Sequence, residues 1–292
     1  DVPSKGNSEG IFAYGWTGSY QSMSNLVSNV GVVSADVGGV GTARYLSTAT
    51  EYGGDKGIFG LGEISGTLFG GTNLVTNAGV VGTDVAAVAT ARYGPAACGY
   101  GGDKGIFGFG HSGGGGLVAT TNLITNAGVV GSDVTGVGTA RNYLYATEYG
   151  DDKGIFGYGD ASATDHSTTN LVSNAGVVAT DTTGVGTARQ NLAACGYDYD
   201  KAIFAYGYTT GYLSMSNLVS NAGVVATDVT GVGTSRGGLA ATQYGGDKGI
   251  FGYGVTPSYV SLTNLVSNAG VIATDTTGVG TARKTESACS FN

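Results

Sequence analysis

Cys98, Cys195 and Cys289 carry the most specific chemistry this sequence offers. Each stands six residues after an arginine, namely Arg92, Arg189 and Arg283. Three thiolates brought together could hold a metal ion, provided their sulfurs lay within about 4 Å of one another. The competing reading is a small buried side chain wedged between elements, a role cysteine shares with threonine. The second reading is preferred, because the equivalent positions in the intervening units are Thr50, Thr147 and Thr242. The next column alternates too, with Glu51, Glu148 and Gln243 set between Gly99, Gly196 and Ser290. Those long polar side chains could line a channel mouth, solvated and without a ligand. An odd number of cysteines cannot pair completely, and no zinc-ligand spacing is present, so neither a disulfide framework nor a metal is expected.

Catalytic chemistry is sparse. His111 and His166 are the only histidines. Neither has a triad partner or a metal-ligand spacing in sequence. No glycine-rich phosphate loop opens onto a helix. We expect no enzymatic activity, no catalytic residue and no cofactor. Arg44, Arg92, Arg141, Arg189, Arg236 and Arg283 could form a cationic ring. Catalytic residues break a repeat, however, whereas scaffolding residues follow it, and a guanidinium can donate several hydrogen bonds to carbonyls where units cross. Asp36, Asp84, Asp133, Asp181, Asp228 and Asp275 recur in the same way. Capping of the following turn is the expected role, with a calcium-binding ring of carboxylates as the alternative. Asp-Lys pairs at 55–56, 103–104, 152–153, 200–201 and 247–248 suit tight turns kept soluble by a lysine.

These residues recur because the chain itself repeats. Gly-Thr-Ala-Arg or a close variant ends at each of the six arginines, every 47 to 49 residues. That period, filled with Val, Ile, Phe and Tyr, reads as four short antiparallel strands per unit. In the unit 142–189 the predicted strands cover 143–149, 153–159, 169–173 and 177–182. A tight turn at 150–152, a variable loop at 160–168 and a turn at 174–176 join them, with Gly176 suited to a left-handed backbone. Strand alternation puts Ile155, Gly157 and Gly159 on one face and Phe156 and Tyr158 on the other. The aromatic face of one unit can then sit on the glycine face of the next.

The expected fold is therefore all-β, a six-bladed β-propeller of four-stranded antiparallel blades, forming one domain over residues 1–292. The blades are 284–292 plus 1–44, 45–92, 93–141, 142–189, 190–236 and 237–283. The chain enters at Ile11–Gly15, a second strand with no first strand before it. The C-terminal nine residues, with Cys289 in register with Cys98 and Cys195, supply that strand and leave no open sheet edge. The alternating columns suggest three copies of a two-blade unit.

Composition removes other classes. Charged residues are 12% of the chain and the net charge is −8, which argues against a nucleic-acid surface and against docking on anionic lipid. No apolar run approaches the ~20 residues of a membrane helix. The opening Asp1-Val2-Pro3-Ser4-Lys5 does not read as a signal peptide, and the lack of an initial Met reads as a processed product or a segment of a longer protein.

The unit resembles a kelch repeat. Gly157-Tyr158-Gly159 stands where kelch blades carry paired glycines, and Thr187-Ala188-Arg189 stands at the crossover. The kelch tryptophan has no counterpart, Trp16 being the single Trp, and the Asp-box of sialidase propellers is absent. Runs such as TNLVSNAGVVATDTTGVGTAR, residues 169–189, are similar to repeat proteins predicted from aquatic bacteriophage genomes. That resemblance covers nearly the whole chain. It implies a virion or extracellular location, a structural or adhesive role, and other virion proteins or a host-surface glycan or protein as partners. The loops between second and third strands, 16–24, 63–72, 111–121, 160–169, 208–216 and 255–263, differ from unit to unit and should emerge on one face. They hold Trp16, Tyr20, Phe69, His111, His166, Tyr208, Tyr212 and Tyr259. Variable loops with exposed aromatics on a rigid scaffold suit sugar rings or protein partners, although loop variation also follows from lack of constraint. A secreted lectin and a purely architectural subunit are the alternatives; a multivalent lectin would repeat its binding residues, and these loops do not.

Overall fold

The computed structural model describes residues 8–86 and 89–292. The opening segment Asp1–Lys5 lies outside them. The described chain is all-β, built on six three-stranded antiparallel sheets. No helix among the described residues is long and apolar enough to cross a membrane.

The fourth sheet shows the pattern. Tyr145–Tyr149 pairs with Lys153–Gly157, which pairs with Thr169–Val172, and Ile155 sits opposite both Thr147 and Leu171. The second sheet comprises Thr48–Tyr52, Lys56–Gly60 and Thr72–Val75, and the third Ala96–Tyr100, Lys104–Gly108 and Thr121–Ile124. The fifth comprises Ala193–Tyr197, Lys201–Tyr208 and Tyr212–Val219, and the sixth Ala240–Tyr244, Lys248–Gly252 and Thr263–Val266. The first sheet joins the two ends of the chain. Ser287–Phe291 pairs antiparallel with Glu9–Ala13, which pairs with Ser24–Val27, and Cys289 lies opposite Ile11.

The expected fourth strand is reduced to two isolated bridges, Val172 with Val178 and Thr169 with Thr182. Four steps along one side thus span three along the other. One extra residue breaks the ladder. The Asn170 side chain fills the gap, donating to the Ala179 carbonyl at 3.1 Å and to Asp181 Oδ1 at 2.8 Å. The same pair of bridges recurs in all six sheets. Gly176 takes φ 77°, as its turn requires.

The second strand ends at Gly157 rather than at Gly159, because Tyr158 turns to φ 64°. That turn also reverses the expected side of Tyr158. Phe156 packs back against Phe109 of the third sheet, ring centroids 5.1 Å apart, whereas Tyr158 packs forward against Phe204 of the fifth at 5.2 Å. The fit of aromatic on glycine holds at Gly157, where a Cβ would come within 2.8 Å of Phe204 Cζ. Tyr14, Leu61, Phe109, Tyr206 and Tyr253 share the positive φ of Tyr158.

Apolar cores lie between consecutive sheets, and the sixth sheet packs on the first through Tyr253, Ile250 and Tyr244 against Phe12, Val27 and Val33. The first strand of each sheet touches those of both neighbours, Ser287–Phe291 meeting Ala240–Tyr244 on one side and Thr48–Tyr52 on the other. Two rings of backbone hydrogen bonds follow the same order. At one end Gly94 donates to Leu46, Tyr143 to Gly94, Asn191 to Tyr143, Gly238 to Asn191, Thr285 to Gly238 and Leu46 to Thr285, at 2.7 to 3.2 Å. All six residues have φ between 53° and 61°. At the other end each turn between a first and a second strand bonds the next, from Gly53 N–H to the Asp103 carbonyl at 2.7 Å through to Asn292 N–H and the Asp55 carbonyl at 3.0 Å.

Candidate functional site

The six arginines are fully buried where one sheet passes to the next. Arg189 shows the complete pattern. Its Nε donates to the Tyr206 carbonyl at 2.8 Å, and its two terminal nitrogens donate to the Thr187 carbonyl at 3.0 Å and to Asn217 Oδ1 at 2.8 Å. The guanidinium lies over the Tyr158 ring, 4.2 Å from its centroid. Residues of three consecutive segments are thereby tied to one side chain.

The six aspartates complete these junctions, and among the described residues none is bonded to the turn that follows it. Asp228 accepts from Thr187 N–H at 3.0 and 3.1 Å, from Thr187 Oγ1 at 2.7 Å and from Asn217 Nδ2 at 2.9 Å. Thr187 belongs to the preceding crossover, so the bond joins neighbouring units. Asp36, Asp84, Asp133, Asp181 and Asp275 repeat it, with Thr281 closing onto Asp36. Burial pushes these carboxyls up, but the threonine and asparagine donors outweigh it and hold all six below the ordinary carboxylate range. The Asp-Lys turns form local pairs, such as Lys153 Nζ to Asp152 at 3.0 Å.

The cysteines point between sheets. Cys98 Sγ fills the space above Gly154, Cys195 that above Gly249 and Cys289 that above Gly57, each glycine belonging to the following sheet. Thr50 and Thr242 occupy the same space over Gly105 and Gly10. Burial pushes the Cys195 and Cys289 thiols up, away from the reactive thiolate. Among the described residues no group of three His, Cys, Asp or Glu side chains could hold a metal ion. The alternating column has a packing cause as well. Glu51 accepts from Ser290 Oγ at 2.9 Å, while Glu148 lies across Gly99 and Gln243 across Gly196. Each long side chain crosses a short one on the neighbouring strand.

The variable loops all open beside the crossovers. Trp16 bridges Lys284, Glu63 bridges Tyr45, His111 bridges Tyr93, Asp160 bridges Asn142, Tyr208 bridges Gln190 and Val255 bridges Gly237. This end of the molecule is not uniform. Trp16 and Tyr20 pack edge to face at 4.7 Å, and both lie 5.6 Å from Tyr45. His111 stacks on Tyr93 at 4.9 Å, and Tyr143 stands 6.1 Å from Tyr93. His111 Nδ1 accepts from Gly113 N–H at 3.0 Å, which leaves Nε2 to carry the proton of the neutral ring. Tyr45 donates to Glu63 Oε2 at 3.2 Å, and burial together with that carboxylate pushes its phenol up to about 12. These rings form one half-buried aromatic arc drawn from several sheets.

Beyond the arc the surface turns polar. Burial raises the Asp165 carboxyl, against the pull of the Gln190 side chain, with Asp160 raising it further. His166 sits beside it, 3.5 Å from Thr168 Oγ1. Next comes a cleft of about 200 Å³ between Tyr208, Tyr212, Val255, Asn191 and Lys284. Its floor is Gly237-Gly238, where the third unit carries Tyr93-Gly94 and the fourth Asn142-Tyr143. Tyr259 lies 5.9 Å from Lys284 Nζ. Of the loop residues singled out from sequence, Phe69 is committed elsewhere, its ring stacked 4.6 Å from the buried Arg44 guanidinium. Sequence reasoning missed Tyr45, Tyr93 and Tyr143. Their signal was the pair of columns just after each arginine, which varies as much as the loops do.

Comparison with protein-family models and with curated proteins finds no match for this chain.

Proposed function

We propose that the six sheets are the blades of a six-bladed β-propeller closed by the C-terminal strand, serving as a non-enzymatic scaffold whose loop end binds a glycan or protein surface. The closed reading is supported by the cyclic hydrogen bonds at both ends and by the core between the sixth and first sheets. The binding reading rests on one observation: half-buried Trp16, Tyr20, Tyr45, Tyr93, His111 and Tyr143 gather at the end where the repeat is broken. Aromatic faces bury large area at little entropic cost and suit sugar rings and protein partners alike. The likeness to phage repeat proteins makes a particle-associated adhesin the natural setting. The test is a glycan panel and intact bacterial cells probed with the labelled protein and with its Trp16→Ala/Tyr93→Ala form. Binding lost in the variant supports the reading; binding unaffected by it refutes the aromatic arc.

An architectural subunit is the second reading, and a different observation favours it. Val80, Val129, Val177, Val224 and Val271 are 59 to 65% exposed, repeated around the opposite end. Sedimentation would show concentration-dependent assembly, abolished by changing these valines to serine.

A further inference from the structure

The residue preceding the first strand is Ser47, Pro95, Leu144, Leu192, Leu239 and Glu286 in the six units. These six line one cavity of about 50 Å³ at the end that carries the ring of left-handed residues. Tyr145 borders both this cavity and the one lined by the cysteine and glutamate columns. Glu286 is 3% exposed, and among the described residues neither carboxylate oxygen has a hydrogen-bond partner. Two backbone N–H groups, its own and that of Ala240, lie near the carboxylate without reaching hydrogen-bond geometry. Arg283 and Arg236 attract it from beyond, but their terminal nitrogens are engaged by Asn25, Asn264 and threonine carbonyls. A buried carboxylate left in that state is costly. It also breaks the repeat at a position where three units place leucine.

We propose that this cavity is a binding site for a primary alkylammonium group, with the ammonium on Glu286 and its methylenes against Leu144, Leu192 and Leu239. This site is separate from the loop-end surface and does not depend on that reading. The wall chemistry selects the ligand class. A calcium or magnesium ion requires six or more oxygens, and here one carboxylate stands in a ring completed by Ser47, Pro95 and three leucines. An anion would meet repulsion once Glu286 ionises, and a neutral alcohol brings no charge to offset the ionised carboxylate. An ammonium brings three donors and a full charge, and its alkyl stem suits the leucine walls. One water needs roughly 10–15 Å³ of such space, so the cavity admits a chain of a few heavy atoms. The chain's net charge of −8 favours the approach of cations.

Binding is linked to pH. Burial, opposed chiefly by Arg283, holds the Glu286 carboxyl up at about 8, so an arriving ammonium displaces a proton near neutrality. The other ionisable groups facing it are Arg236, Arg283 and the phenols of Tyr145 and Tyr253, and burial pushes both phenols up, out of that range. Calorimetric titration of the whole protein with n-butylammonium chloride should show saturable binding that tightens from about pH 6 to about pH 9. Sodium chloride, calcium chloride and n-butanol should not reproduce it. Glu286→Gln should weaken binding about tenfold or more, the worth of one charge-assisted hydrogen bond. Glu286→Leu, which installs the residue of three equivalent units, should abolish binding while keeping the melting transition; if it fails to fold, Glu286→Gln carries the test. Equal affinity of wild type and Glu286→Gln, equal affinity for n-butanol, or binding of the metal salts in place of the amine would each overturn the proposal.

Discussion

The junctions around Arg189 and Arg44 contain the same residue types and reach opposite solutions. Both guanidiniums are fully buried. At Arg189 three nitrogens are hydrogen-bonded and one ring, Tyr158, lies beneath. At Arg44 the bond to the Thr42 carbonyl, at 3.1 Å, is kept, while Nε, the other terminal nitrogen and Asn73 Oδ1 have no partner among the described residues. In exchange Arg44 lies between two rings, Tyr14 at 3.8 Å and Phe69 at 4.6 Å. Phe69 follows the short hairpin Glu63–Ile64 and Thr67–Leu68 in the variable loop. The Phe69 ring thus reaches from a variable loop to a framework guanidinium whose bond to its asparagine is missing, although an unpaired Nε also occurs at Arg92 and Arg283. The framework tolerates this because Asn73 still donates to the Gly82 carbonyl at 3.0 Å and to Asp84 at 2.9 Å.

Both junctions rely on an unbroken series of sheets, and removing residues 284–292 should destroy them together. Glu9–Ala13 would lose its partner strand and the Arg44 side would lose Ser287 and Cys289. Loss of the cooperative melting transition or aggregation is the expected outcome, and an unchanged melting curve would refute it. Next in size are the arginines themselves. Arg189→Met should lower stability by about 3–5 kcal/mol, the range for removing one partner of a buried charged network. Arg44→Met should cost distinctly less, on the order of 1–2 kcal/mol, because fewer hydrogen bonds are lost and methionine packs well between rings. Urea unfolding of the two variants measures the difference, and equal losses would erase the contrast.

The aspartates should not distinguish the junctions, since Asp84 and Asp228 keep the same threonine and asparagine partners. Their carboxyls are depressed in the folded state. They therefore stabilise above the unfolded carboxyl value of about 3.9, and that stabilisation is lost as pH falls through the lower folded values. Glu286 acts with the opposite sign. Its carboxyl is raised to about 8, so the unfolded chain gives up the proton first and stability declines as pH rises from about 4.5 towards 8. Melting temperature against pH should peak in the mildly acidic range, and Glu286→Leu should flatten only the upper limb.

The period, the three-strand core of each unit and the supply of the missing strand by the C-terminus could be read from sequence, because spacing and strand composition dictate them. The cysteine column was readable too, since its alternation with threonine reports volume rather than chemistry. The fourth strand was misjudged because Val177 to Thr182 has strand composition but one residue too many for the ladder. Tyr158 was placed on the wrong side because strand alternation fails at a left-handed residue, and tyrosine gives no local warning of that conformation. Turn capping is the local reading of the aspartates because their threonine partners lie 41 to 43 residues back in sequence, or 245 residues ahead for Asp36, a separation no local pattern encodes. Glu286 departs from a leucine column, but a single carboxylate in a short terminal segment carries no sequence sign that it is buried.

The smallest expected effect is also the sharpest test of what Phe69 does. If its ring displaced Asn73 from Arg44, removing the ring should let the guanidinium swing back to Asn73 Oδ1, as Arg189 meets Asn217. Phe69→Ala would then lose a ring–cation contact of about 0.5–2 kcal/mol and recover a hydrogen bond to a charged donor of about 1.5–3 kcal/mol, leaving a net change near zero. A small net change alone proves little, because an exposed loop residue could give the same. The coupling between Arg44 and Asn73 is decisive. A double-mutant cycle with Arg44→Met and Asn73→Ala should show negligible coupling in the wild-type background and a clear favourable coupling once Phe69 is alanine, comparable to the Arg189–Asn217 pair. Coupling that stays negligible without Phe69 would mean that the backbone around Arg44, rather than the intruding ring, keeps the pair apart.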